Sequence, residues 1–161
     1  MKKIISLSLC MAVMLLCSCT QVVKSPQIKT FFSQKATITI GDYSYTANVK
    51  FDGSKVYITP TSTNAKGMTI SCDASTVTFT RRDMVNTAEK SKVSPYNPAV
   101  IIYDVITSSS SASVPKKEGE NCAFSGKSSV GDYTLMMNES SDLLSLQIPT
   151  ADFYVEFVVN S

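Results

Sequence analysis

The chain contains no histidine. That removes the Ser-His-Asp and Cys-His nucleophile systems together with histidine-ligated zinc sites. It also lacks a phosphate-cradling glycine loop and a calcium loop of the Asp-x-Asp-x-Asp-Gly type. Lysine and arginine never gather beyond pairs, as at Arg81-Arg82 and Lys116-Lys117, so the footprint of a nucleic-acid binder is absent. Among the acidic residues, Glu118 and Glu120 sit in a loop, and Asp132, Glu139 and Asp142 lie in or beside turns, where solvated carboxylates are ordinary. A two-carboxylate glycosidase needs its pair held across a cleft, and distant strands could still assemble one. The expectation is a protein that is not an enzyme, with no catalytic residue, no metal and no cofactor.

No apolar run reaches the roughly 20 residues needed to span a bilayer. The first twenty residues do carry a shorter one, from Ile4 to Leu16, behind Lys2-Lys3 and ahead of Leu16-Cys17-Ser18-Cys19. A charged start, a short apolar stretch and a small residue before a cysteine read as an export signal. The pattern resembles the bacterial lipobox, which implies cleavage before Cys19 and a thioether-linked diacylglycerol on it. Two acyl chains at about 0.8 kcal/mol per buried methylene anchor a protein stably, whereas one is marginal. An ordinary secretory peptide cleaved nearby is the rival reading. Either way residues 1–18 take no part in the fold, 19–30 form a tether and 31–161 form the folded domain. The expected location is the outer face of a cell membrane, held there by lipid.

Removal of the signal changes the charge and the cysteine count. Lys2 and Lys3 leave, so the net charge falls from +2 to zero, with thirteen basic residues against thirteen acidic ones. Cys10 and Cys17 leave as well and Cys19 is lipidated, so Cys72 and Cys122 remain as an even pair in a compartment that permits disulfides. A bridge would close a loop of about 50 residues and contribute roughly 4 kcal/mol if unstrained. Two buried free thiols packed as small hydrophobes are the other reading, and pairing with a second copy a third.

From Phe31 onward the chain alternates with period two. Tyr43, Tyr45, Ala47, Val49 and Phe51 share one face, and Ser44, Thr46, Asn48 and Lys50 the other, as in a half-buried antiparallel strand. Met68, Ile70 and Cys72 repeat the pattern, as do Val77 and Phe79 between Thr76, Thr78 and Thr80. It returns at Tyr133, Leu135 and Met137, at Leu144, Leu146 and Ile148, and at Phe153, Val155, Phe157 and Val159. Gly41-Asp42, Asp52-Gly53, Asp73-Ala74 and Gly131-Asp132 fall between these runs as short turns. The Gly-Asp-Tyr at 41–43 recurs at 131–133, either as a trace of repetition or through shared turn chemistry.

One segment breaks the rhythm. Asn97-Pro98 puts a capping residue and a first-turn proline before Ala99 to Ile106, and this predicts a buried helix over 97–108. The density of valine and isoleucine keeps a strand as the alternative. Ser108 to Ser113 and Pro115 to Gly119 then read as a flexible polar loop, and the segment from Pro60 to Gly67 as a shorter one.

The fold class that follows is mainly β with minor α: a large curved antiparallel sheet of about eight or nine strands, a half-closed β-barrel, with one helix on its concave face. Such a concavity would hold an acyl chain or the apolar patch of a partner. Its candidate lining is Tyr45, Val49, Phe51, Met68, Ile70, Val77, Phe79, Ile102, Val105, Leu135, Leu146 and Phe157. The competing outcome is a sheet filled by its own side chains.

The strand pair around Gly41-Asp42-Tyr43, the Pro60 loop, the strands at 68–72 and 76–80, the helix after Asn97-Pro98, and Phe124-Ser-Gly126 leading into Gly131-Asp-Tyr-Thr-Leu135 form an order of elements. Over residues 29–159 that order resembles the LolA/LolB/LppX superfamily of periplasmic lipoprotein-handling proteins and related lipoproteins, among them clostridial spore-germination ones. The resemblance implies an unclosed barrel with a helical lid that binds lipid or lipoprotein acyl chains, or, in the anchored members, a protein partner such as a cell-wall enzyme. The long N-terminal helix usual in the carriers is poorly supported here, since Pro26 leaves room only for a short one at 25–33.

Overall fold

The computed structural model describes residues 27–112 and 115–159. The signal segment, Cys19 and the tether as far as Pro26 lie outside the described residues. From Gln27 to Phe31 the chain is irregular, so the short helix expected at 25–33 does not form there. Ile28 already packs on the core and Lys29 pairs with Asp142, so the described domain begins ahead of Phe31.

Eleven strands and one α-helix follow. These are β1 (Phe32–Ile40), β2 (Tyr43–Phe51), β3 (Val56–Pro60), β4 (Met68–Cys72), β5 (Thr76–Arg81) and β6 (Met84–Glu89), then α1 (Pro98–Ala112), then β7 (Lys116–Glu118), β8 (Asn121–Ser128), β9 (Gly131–Asn138), β10 (Leu143–Ile148) and β11 (Phe153–Phe157). The strands form a single antiparallel sheet in the order β6-β5-β4-β3-β2-β1-β11-β10-β9-β8-β7. The chain meanders outward from β1 to β6, crosses through α1 to the opposite edge, and meanders back until β11 pairs with β1. Each step is a hairpin between neighbours except the crossover, so few long loops are needed. Edges β6 and β7 do not pair with each other, and the sheet is not closed into a barrel.

Helix α1 packs chiefly against β8 on one wing of the sheet and against β3 and β4 on the other. Five strands lie between these wings, and a helix only about 10–12 Å across can touch both only if the sheet curls around it. Its start follows the local chemistry: Asn97 Oδ1 accepts the Ala99 N–H at 3.0 Å, and Pro98 occupies the first turn, where its missing N–H costs nothing. Ala99, Val100, Ile101, Ile102, Val105 and Ile106 are all buried, which places α1 inside the molecule rather than on it. The helix, not the strand alternative, is the form adopted.

Differences from the expectation have identifiable causes. The helix runs to Ala112, through residues read as a polar loop. Serine is a weak helix former, but Thr107, Ser108 and Ser110 return hydroxyl hydrogen bonds to the carbonyls of Tyr103, Asp104 and Ile106 at 2.8, 2.6 and 2.7 Å. Ser109, 3% exposed, donates to the Tyr133 hydroxyl at 2.8 Å. Lys116 to Glu118, also read as loop, make the short edge strand β7, and β6 adds a strand that shows no alternation because nearly all of it is exposed. In β10 the register against β9 shifts between Leu143 and Ser145, so Leu143 rather than Leu144 turns inward with Leu146 and Ile148. Gly131-Asp132 begins β9, and the turn is formed by Ser129 and Val130. Val159 lies beyond β11 and is exposed.

Two contacts tie the halves together. Gln34, buried near the end of β11, donates to the Leu143 carbonyl at 3.1 Å and accepts the Leu143 N–H at 3.3 Å, replacing ladder bonds between β1 and β10 where β11 no longer separates them. Tyr133 crosses over Gly126 on β8, where an added Cβ would fall 2.6 Å from the Tyr133 hydroxyl. Only glycine lets that ring reach α1. Gly126→Ala and Tyr133→Phe are therefore each expected to cost about 1–3 kcal/mol. The double variant should cost much less than the sum, because both act on one contact. Chemical denaturation of the three variants checks this.

Candidate functional site

Nine of the twelve residues assigned to the concave lining are buried: Val49, Phe51, Ile70, Val77, Ile102, Val105, Leu135, Leu146 and Phe157. They belong to one continuous core in which the side chains of α1 fill the hollow of the sheet. The other three, Tyr45, Met68 and Phe79, are half-buried and pack against that core from its margin. Their place follows from the registers. Tyr45 lies opposite Ile38 toward the start of β2, Met68 opens β4 opposite Arg81, and Phe79 stands beside Ile70 on β5.

Tyr45 and Met68 sit toward the same rim of the sheet, and Phe79, at mid-height on β5 opposite Ile70, stands diagonally from Met68. Exposed Tyr43 continues Tyr45 there with ring centroids 5.8 Å apart, and Met84, opposite Arg81, continues Met68 at 68% exposure. On this side the uncovered apolar side chains are Tyr43, Tyr45, Met68, Phe79 and Met84, a shelf flanked by Arg81 and Arg82. Tyr43 and Met84 were not among the lining candidates, although Tyr43 shares the alternating face of Tyr45. Burial pushes the Tyr45 hydroxyl up to about 12, with Tyr43 adding to the shift.

Open grooves occur elsewhere, and none of the twelve residues lines any of three such grooves. A groove of about 620 Å³ runs between the β4–β5 turn at Ser75 and α1 at Val100 and Asp104, with Lys90 and Val93 as its other wall. A second, about 460 Å³, continues along Asp104, Thr107 and Ser108 to Lys127 and Ser129. The third, about 480 Å³, lies at Asp42, Gln147 and Asp152. All three have mixed polar walls. Across the first, Lys90 reaches from beyond β6 to pair with Asp104 on α1, its ammonium 4.7 Å above the Tyr103 ring. This latch fastens the helix to the β6 wing.

Cys72, on β4, and Cys122, on β8, are buried free thiols, so the bridge considered from the sequence is not formed. Seven steps of the sheet order separate their strands. Burial pushes the Cys72 thiol up to about 11, with the nearby Asp104 and Asp73 carboxylates raising it further against the opposing pull of Lys90. No group of three or more histidine, cysteine, aspartate or glutamate residues able to hold a metal occurs among the described residues. Neither a family model nor a curated protein matches this chain.

The carboxylates that depart most from their ordinary behaviour are structural. Asp52 accepts from the Tyr57 hydroxyl at 2.8 Å and from the N–H groups of Ser54 and Lys55, which hold it well below the usual carboxylate range. Asp73 accepts from the N–H groups of Ser75 and Thr76 and from Lys55 Nζ at 2.9 Å, and is held down likewise. Both cap hairpin turns. A carboxylate that binds protons less readily folded than unfolded stabilises the fold above its unfolded value near 4, and this contribution disappears as the pH falls through the folded value. Acid unfolding monitored by circular dichroism should therefore begin below about pH 4, and Asp73→Asn should flatten that pH dependence while lowering stability at neutral pH.

Alkylation gives a second check. Both thiols should resist iodoacetamide in the native protein at pH 8 and react after unfolding, and non-reducing mass analysis should count them as free.

Proposed function

We propose that the chain is a membrane-anchored, non-enzymatic lipoprotein that docks a protein of the cell envelope through the apolar shelf of Tyr43, Tyr45, Met68, Phe79 and Met84. The observation that carries this reading is the position of α1. It fills the hollow of the sheet, so the apolar surface on offer lies at the rims rather than in a cavity. The shelf is rimmed by Arg81 and Arg82 and by the exposed Asp42 and Asp83, the mixed polar border usual around an apolar docking surface. Acyl-chain binding in the hollow, which the LolA-like resemblance implies, would require α1 to leave a core containing Ile101, Ile102, Val105 and Ile106. Exposing four such side chains costs on the order of 6–12 kcal/mol, comparable to the stability of a whole domain.

Cross-linking and pull-down from intact cells test the proposal. The lipidated chain is expected to capture one envelope protein, and Met84→Lys should abolish that capture while leaving the melting temperature within a few degrees of the parent. Failure to capture any envelope protein contradicts it. Mass spectrometry of the purified protein should find no acyl lipid beyond the covalent anchor, and fatty acids should leave the melting temperature unchanged. A raised melting temperature with acyl ligands would instead support the lipid-binding reading.

A further inference from the structure

Because the strands alternate in direction, the rim that carries the start of β1 also carries the turns after β2, β4 and β9 and the end of β11. The shelf belongs to the opposite rim. Phe31, Val158 and Val159 are three of the seven large apolar side chains exposed among the described residues, at 69%, 51% and 38%, and all three lie at the entry rim. Val158 runs beside β1, its N–H donating to the Lys35 carbonyl at 2.8 Å, and Phe31 directly precedes that strand. Single exposed apolar residues are common and need no explanation. Their concentration where the chain enters from its anchor does.

We infer that this entry rim rests on the lipid surface, with Phe31, Val158 and Val159 reaching into the interface. The inference rests on the anchoring part of the proposed function. Gln27 lies eight residues after Cys19, a stretch that spans at most about 29 Å however it is arranged. Strand β1, nine residues long, rises about 30 Å from one rim to the other. The tether therefore keeps the entry rim close to the bilayer, and turning the opposite rim toward the lipid would require it to reach past the length of the domain.

Charge at this rim is mixed and mostly partnered. Asp142 pairs with Lys29, Asp73 with Lys55, Glu89 with Lys92 and Glu139 with Lys117, Glu118 lies 3.9 Å from Lys116, and Asp52 is held by hydrogen-bond donors; exposed Glu120 and exposed Lys35, the latter beside Val158, make no ion pair among the described residues. Lysines near apolar side chains are the usual composition of a surface that meets lipid headgroups. The arrangement also explains why the two apolar surfaces face apart: one meets the membrane and the other is presented away from it.

The chain has no tryptophan, so one introduced residue reports alone. Phe31→Trp and Met84→Trp, each in the full lipidated protein, are incorporated into phosphatidylglycerol-containing vesicles, and emission and quenching by brominated acyl chains are recorded. Phe31→Trp is expected to shift to shorter wavelength on incorporation and to be quenched severalfold more than Met84→Trp. Equal quenching at the two sites overturns the inference alone, provided that mass analysis of the Cys19 peptide finds the diacylglyceryl group. Absence of that group overturns the anchoring reading and this inference with it. A blue shift of Phe31→Trp without vesicles that grows with protein concentration would assign the patch to a second copy, and so would also overturn it.

Discussion

A wide antiparallel sheet with one apolar face persists in water only if something covers that face, and the burial of α1 is the constraint on which the rest of this molecule depends. The helix contributes Ala99, Val100, Ile101, Ile102, Val105 and Ile106 to a core shared with strands from both wings. For both wings to reach one helix the sheet must curl, and the crossover from β6 to β7 must pass through its hollow. The remaining features serve this arrangement. Asn97 starts the helix, Lys90 and Asp104 fasten it to the β6 wing, and Tyr133, admitted by Gly126, receives the hydroxyls of its serine-rich end.

A filled hollow moves the question of function to the rims. The entry rim carries the start of β1 and the end of β11 and exposes Phe31, near the β2–β3 turn, and Val158 and Val159. The far rim exposes Tyr43 and Met84 and continues into the half-buried Tyr45, Met68 and Phe79. Between them the domain is held by packing and by hairpins, two of them capped by Asp52 and Asp73. No buried side-chain nitrogen or oxygen is without a partner among the described residues. The strongly shifted carboxylates, Asp52 and Asp73, are turn caps.

Much of this architecture was legible in the sequence because a half-buried strand writes its burial as alternation. The inward sets of β2, β4, β5, β9 and β11 follow that rule up to the strand ends, and Asn97-Pro98 announced the helix through capping chemistry alone. What escaped lacked such a signal. Strand β6 is an exposed edge and so does not alternate, β7 is three charged residues, and the bulge that turns Leu143 inward is set by register against β9. The extension of α1 through its serines depends on Tyr133, some 24 residues further along. Period two also marks one face of a sheet as apolar without saying what lies against it. That is why the same residues fitted an open cavity and a filled core equally well, and why the shelf was recognisable only once α1's reach was known.

Native-state hydrogen exchange of the α1 amides from Ile102 to Ser109 tests the central claim most directly. If the helix is an integral part of the core, these amides exchange only through global unfolding, with the same protection as β1 and β11, and fatty acids or micelles leave that protection unchanged. Exchange through a lower-energy opening confined to α1, made faster by an acyl ligand, would contradict the account and show a lid that leaves its hollow.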